Sequence, residues 1–161
     1  MTNESKFKTL QSAYTQKKLN DDSYWADLVQ DVKQVLEGFT SYIGSPSTYT
    51  GATGREEYYL RFISYNGDTL VQLSPRQIQK KGSSFDFSLE LALDSTKSDN
   101  LRVSEIVRAD LTVTSSEKGK LSFLVGKDLK SLVIEVGDPA PFYDAVYEVF
   151  KAEIEKPIQF A

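Results

Sequence analysis

Carboxylates are the only plentiful acid–base groups in this chain. Its 161 residues include no histidine and no cysteine. That removes the side chain that titrates nearest neutrality, the commonest metal ligand and every Ser-His or Cys-His nucleophile pair. Disulfides and thiolate metal centres go with them. Asp, Glu, Lys and Tyr remain for proton transfer. Glu56-Glu57, Asp21-Asp22, Glu153 and Glu155 are adjacent or nearly so. Neighbours on a strand point to opposite faces, so Glu56 and Glu57 form no dyad by themselves. Asp21-Asp22 suits a helix start. Glu105 falls on the apolar side of its strand, where burial would raise its pKa and suit a proton shuttle, whereas a bulge or an edge position would turn it outward. Asp94, Asp99 and Asp110 are scattered and no calcium-loop spacing is present, so no metal site is expected. Gly51-Ala52-Thr53-Gly54-Arg55 lacks the preceding strand, the following helix and the Lys-Ser/Thr pair of a phosphate cradle. The expectation is a non-catalytic protein without a cofactor.

Residues suited to recognition concentrate on one strand, Tyr58 to Tyr65. Tyr58, Leu60 and Phe62 make one face, and Tyr59, Arg61, Ile63 and Tyr65 make the other. That second face is not wet in character, and Tyr and Arg are enriched at the hot spots of protein interfaces. Arg102 and Arg108 fall on the polar face of a later strand and extend such a surface. The candidate binding residues are therefore Tyr59, Arg61, Tyr65, Arg102 and Arg108. Two other readings of the same face are burial under further helices and the lining of a cavity. Arg76, Lys80 and Lys81, ahead of Gly82, read as a solvated cationic turn.

The elements that must hold these residues follow from periodicity. Phe85, Phe87, Leu89, Leu91 and Leu93 alternate with Asp86, Ser88, Glu90, Ala92 and Asp94, the period of a strand with one buried and one wet face. Tyr58 to Tyr65 and Thr69 to Ser74 flank the turn dipeptide Asn66-Gly67. Leu101 to Thr114 is long for one strand and should bend or bulge. Leu121 to Val125 and Leu129 to Val136 complete about six strands over 56–136. They follow one another without helices, so the sheet should be antiparallel. Helices are expected over 4–19, with a thin stripe of Phe7, Leu10 and Tyr14, and over 23–43, with a regular stripe from Trp25 to Ile43 and Gly44 as its left-handed cap. Residues 44–55 read as a mobile loop. A closing helix is expected over 139–156, capped by Asp138 with Pro139 in its first turn. The fold class is α+β: one antiparallel sheet preceded by two helices and covered by a long C-terminal helix, in a single domain over 1–161.

The formal charge is −4, with five acidic and two basic groups in residues 137–161. A mildly acidic chain without a basic stripe is a poor general nucleic-acid binder. No apolar leader follows Met1 and no apolar run approaches membrane-spanning length, so a cytoplasmic protein with no membrane partner is expected. In element order the chain resembles the helix-grip layout of START-like domains, which close a curved sheet over the last helix and hold lipids or other apolar ligands. It departs from them in having helix where they begin with a strand, and in lacking their Gly-rich loop motif. The resemblance implies a ligand cavity between sheet and C-terminal helix. The residues themselves favour a protein-binding module, of the inhibitor, immunity or chaperone-like adaptor kind, whose partner is another protein.

Overall fold

The computed structural model describes residues 5–44, 48–50, 56–64, 73–94 and 103–156. Ser5 opens the first helix, α1 (Lys6–Glu37), by accepting a 3.2 Å hydrogen bond from the Lys8 amide, which satisfies one of the donors a helix start leaves free. The polar run Asn20-Asp21-Asp22-Ser23 suggests a break between helices at 4–19 and 23–43. The structure corrects this: one helix runs through it. The acids serve as partners one turn on, not as caps. Lys17 Nζ lies 2.7 Å from Asp21, Lys18 Nζ lies 3.0 Å from Asp22, and Gln16 donates to Asn20 at 3.0 Å. Such i,i+4 pairs support a helix that continues.

The break falls instead at Gly38, between α1 and the short α2 (Phe39–Ile43). Gly38 has an ordinary φ of −83°, so its role is space: a Cβ there would collide with the Tyr143 hydroxyl. That hydroxyl donates to the Val35 carbonyl, one of the acceptors that the end of α1 leaves without a helical donor. Gly44 closes α2 at φ 69°, the left-handed cap expected of it.

The strand expected over Tyr58 to Tyr65 is divided. β1 (Thr48–Thr50) pairs antiparallel with β2 (Glu56–Tyr58), Tyr59 makes a bend, and β3 (Leu60–Ile63) joins the main sheet. The expected loop at 44–55 thus carries a strand, while 45–47 and 51–55 lie outside the described residues. Of Thr69 to Ser74, only Leu73 and Ser74 are described. Neither is in a strand, and Leu73 joins Ile78 in the core. The expected cationic turn contains β4 (Lys80–Lys81), and its lysines have partners: Lys80 lies 5.3 Å from the Trp25 ring centre and Lys81 lies 2.6 Å from Asp86.

β5 (Ser84–Asp94), β6 (Val103–Glu117), β7 (Lys120–Val125) and β8 (Lys130–Glu135) complete an antiparallel six-stranded sheet ordered β3-β5-β6-β7-β8, with β4 also paired to β5. The irregularity expected in the long strand sits at its two ends. Leu93 pairs with Glu105 but Asp94 with Val103, and Ser115 pairs with Leu121 but Glu117 with Lys120. α3 (Ala140–Glu155) follows, with Pro139 at its cap position and no side-chain cap. Asp138 does not cap it, because its amide donates to the Glu135 carbonyl at 2.9 Å in the preceding turn.

Alternation along each strand delivers one apolar face. Phe85, Phe87 and Leu89 of β5, Ala109, Leu111 and Val113 of β6, and Leu121, Phe123 and Val125 of β7 are buried in one cluster with Trp25, Leu28 and Val32 of α1 and Phe142, Val146 and Phe150 of α3. Phe123 stacks on Phe142 at 4.2 Å between ring centres, filling the space midway between sheet and helix. The fold is therefore α+β, with helices on one face of a six-stranded antiparallel sheet. Tyr24 fixes where α1 meets that sheet. Its hydroxyl donates to the Ser83 carbonyl at 2.6 Å and accepts from the Ser115 amide at 3.2 Å. From Asn20 back to Ser5 every residue of α1 is exposed. Among the described residues no helix is long and apolar enough to cross a membrane.

The contact at Gly38 makes a double test. Gly38→Ala should cost about 1–3 kcal/mol by overpacking. In a Tyr143→Phe background the same change should cost almost nothing, since the colliding oxygen is gone. Urea denaturation of the four proteins measures the coupling, and equal costs in both backgrounds would refute the account.

Candidate functional site

The helices leave the second face of the sheet uncovered. By register, Arg61 of β3 lies opposite Glu90 of β5, and Glu90 lies opposite Arg108 of β6. The alternation that buries Phe62, Leu89 and Val107 thus lines up a cation, an anion and a cation on the other side, a favourable cross-strand order. One step along, Asp110 accepts from the Ser88 hydroxyl at 2.7 Å and from Arg108 Nε at 2.7 Å. One step further, Asp86 accepts from Thr112 Oγ1 and from Lys81 Nζ, each at 2.6 Å. Ser88 is buried despite its polarity, and its bond to Asp110 satisfies it.

These contacts set the ionisation of both acids. The Ser88 hydroxyl, and then Arg108, hold the Asp110 carboxyl below its ordinary value of 3.8. The Lys81 ammonium, and then Thr112, do the same for Asp86. Both stay charged near neutral pH and use their oxygens as acceptors. Such groups are poor general acids and good fixed charges. Among the described residues no cluster of three potential metal ligands occurs.

Between these side chains lies a hollow of about 420 Å³, walled by Ile63, Asp86, Ser88, Arg108, Asp110 and Leu129. Leu129 belongs to the β7–β8 turn. Its φ is +50°, and it is the one described residue other than glycine with a positive φ. It is also 61% exposed. A left-handed leucine costs about 1–2 kcal/mol in backbone sterics. Here it is imposed by the turn, in which the Gly126 amide bonds the Asp110 carbonyl at 2.9 Å and the Leu129 amide bonds Gly126. Ile106 of β6 and Val133 of β8 are exposed too, although both occupy positions whose parity calls for polar residues.

The five candidate residues do not form one cluster. Arg61 and Arg108 share the uncovered face. Tyr59, at the bend before β3, lines a different groove with Ile43, Leu91, Leu93, Tyr147 and Ile154 at the end of α3, of about 400 Å³. Tyr65 and Arg102 lie outside the described residues. So does the glycine-bearing segment 51–55. Glu105 pairs through its backbone with Leu93 beside the register shift, and its side chain is outside the described set. Ile106, Val133, Leu129 and the Ser88–Asp110 bond are the additions that structure makes. For Ile106 and Val133 the signal was present in the sequence, as apolar residues at wet positions of an alternating strand.

No protein-family model matches this chain, and no curated protein and no solved structure matches it either.

Two outcomes follow from this geometry. Leu129→Gly should raise stability by about 1 kcal/mol in chemical denaturation, because glycine adopts the same φ without strain; a loss would mean that the leucine side chain holds the turn. Asp110→Asn should lower the melting temperature near pH 7. A depressed folded pKa contributes stability above the unfolded value and loses it as pH falls through the folded one. The gap between wild type and Asp110→Asn should therefore close below pH 3.8, and a gap that persists there would assign the effect to shape and not charge.

Proposed function

We propose that this chain is a non-catalytic protein-binding module that engages another protein through the uncovered face of its sheet. The observation that carries the reading is the mixture found there. Exposed Ile106 lies next along the face from Arg108 in the cross-strand row of Arg61, Glu90 and Arg108, exposed Leu129 shares a hollow with Arg108, and exposed Val133 lies farther along the same face, opposite Ser122. Apolar anchors among arginines are the composition of an interface centre. The charges of Asp86 and Asp110 are held in place by hydrogen bonds, so they fix orientation without further ordering on binding. The hollow beside Leu129 would take one protruding side chain of the partner.

A second reading is a carrier for a small apolar ligand. It rests on the groove at the end of α3, whose volume falls within the range of ligand sites. The stacked Phe123 and Phe142 occupy the middle of the sheet–helix interface, where a helix-grip cavity would lie, so the uncovered face is the stronger candidate.

Affinity capture from the source cells with the full chain, followed by native mass spectrometry, separates the two. A stoichiometric protein partner should be retained by wild type and lost by Arg61→Ala/Arg108→Ala, with affinity falling about 30-fold or more and the melting temperature falling no further than in Asp110→Asn, which removes the same ion pair. A collapse in melting temperature would place the arginines in the structural framework and refute the interface. An added mass of a small organic molecule, with no protein partner, would favour the carrier.

A further inference from the structure

The N-terminal half of α1 has a packing face, and among the described residues nothing packs on it. Phe7, Leu10 and Tyr14 are 71%, 69% and 66% exposed. Each lies 18 residues, five helical turns, before a buried counterpart: Phe7 before Trp25, Leu10 before Leu28, Tyr14 before Val32. The exposed stripe therefore continues the face that the C-terminal half of α1 buries, carried about 22 Å beyond its last packed turn. The same stretch is strongly one-signed. Residues 5–20 hold Lys6, Lys8, Lys17 and Lys18 and no acid, in a chain whose net charge is −4; Lys17 and Lys18 pair with Asp21 and Asp22, so Lys6 and Lys8 carry the charge at the projecting end.

The groove that Tyr59 lines offers a matching surface. It is bounded by Ile43, Leu91, Leu93, Tyr147 and Ile154, with Lys151 and Glu155 at its edge. Tyr147 and Ile154 are largely exposed. α3 carries Asp144, Glu148, Glu153 and Glu155 against Lys151 alone. Ile43 ends α2, which directly follows α1, so groove and projecting segment lie towards opposite ends of the helical layer. Two copies set antiparallel bring each lysine-bearing, apolar segment to the apolar groove beside the acidic α3 of the other.

We propose that a second copy of this chain covers the stripe, with residues 6–20 of each protomer lying in the groove between α3 and β5 of the other in a reciprocal two-fold dimer. A two-fold arrangement makes the contact twice. Three large apolar side chains per contact bury on the order of 1,000 Å² in total, the lower bound of a stable interface. Charge adds register and a salt dependence. The dimer uses neither Arg61 nor Arg108, so it stands apart from the proposed binding face.

Sedimentation velocity on the full chain, from micromolar to hundred-micromolar concentration, tests this with Leu10→Asp and Ile154→Asp. Wild type should sediment as a dimer that weakens with added salt. Each variant alone should be monomeric, with the dimer dissociation constant raised about tenfold or more and the circular-dichroism spectrum unchanged. An equal mixture of the two should recover a heterodimer, because it retains one intact groove and one intact helix. A monomeric wild type, or a dimer that survives both variants, would overturn the proposal. So would a monomer that pellets with phosphatidylserine vesicles and loses that property in Leu10→Asp, an outcome that would assign the segment to a membrane surface.

Discussion

The pairing of β5 with β6 sets the side on which the charged residues of the uncovered face appear. All 11 residues of β5 find partners in β6, from Ser84 against Thr114 to Asp94 against Val103. Within that ladder Phe85, Phe87 and Leu89 share a face with Val113, Leu111 and Ala109, while Asp86, Ser88 and Glu90 share the other with Thr112, Asp110 and Arg108. A slip of β5 by one residue would exchange its two sets, placing the charges of Asp86 and Glu90 beneath α1 and α3 and three large apolar groups in water. The cost of unpaired buried charge far exceeds that of any single contact in the sheet. The register is thus held by both faces at once, and the polar network on the uncovered side contributes to specifying the fold as well as to shaping a surface.

The helical layer is fixed by fewer groups. Tyr24 holds α1 to the end of the β5–β6 ladder through the Ser83 carbonyl and the Ser115 amide. Tyr143 ties α3 to the last carbonyls of α1, and its ring packs against Phe39 and Tyr42 of α2. The second tie needs a residue without a side chain at Gly38, so that a hydroxyl can reach the backbone. Glycine acts here through close approach and not through its conformational range.

Much of this was legible in the residues. The alternation from Phe85 to Leu93 could be satisfied only by a half-buried strand. The Trp25-to-Phe39 stripe could be satisfied only by a helix on a sheet, and Gly44 ended it as a left-handed cap should. The position of the helix break was not legible. Asp21 and Asp22 cap a helix or pair with a lysine one turn back equally well, and Lys17 and Lys18 decide for pairing. Nothing local marks Gly38, because its requirement comes from a tyrosine more than a hundred positions away. The candidate site divides in the same way. Arg61 and Arg108 were readable from strand parity, whereas the bend at Tyr59 takes that residue to another groove. The hollow beside them brings together β3, β5, β6 and the β7–β8 turn, and the left-handed Leu129 is set by hydrogen bonds of that turn, not by any preference of leucine.

The point where Tyr24 grips the sheet also acts as a fulcrum. Lys6 lies 18 positions back along unbroken helix, at the end of an arm of about 27 Å that among the described residues has no bond to the body of the protein along most of its length. An isolated helix of that length would be marginal in water. Here the packed half supplies a nucleus already formed, so the arm extends an existing helix and needs no costly start. Small rocking at the fulcrum is amplified along the arm: a tilt of about 10° carries its tip through about 5 Å, roughly one helical pitch. The displacement from any such tilt is therefore largest at Phe7 and Leu10, the apolar side chains farthest from the fulcrum.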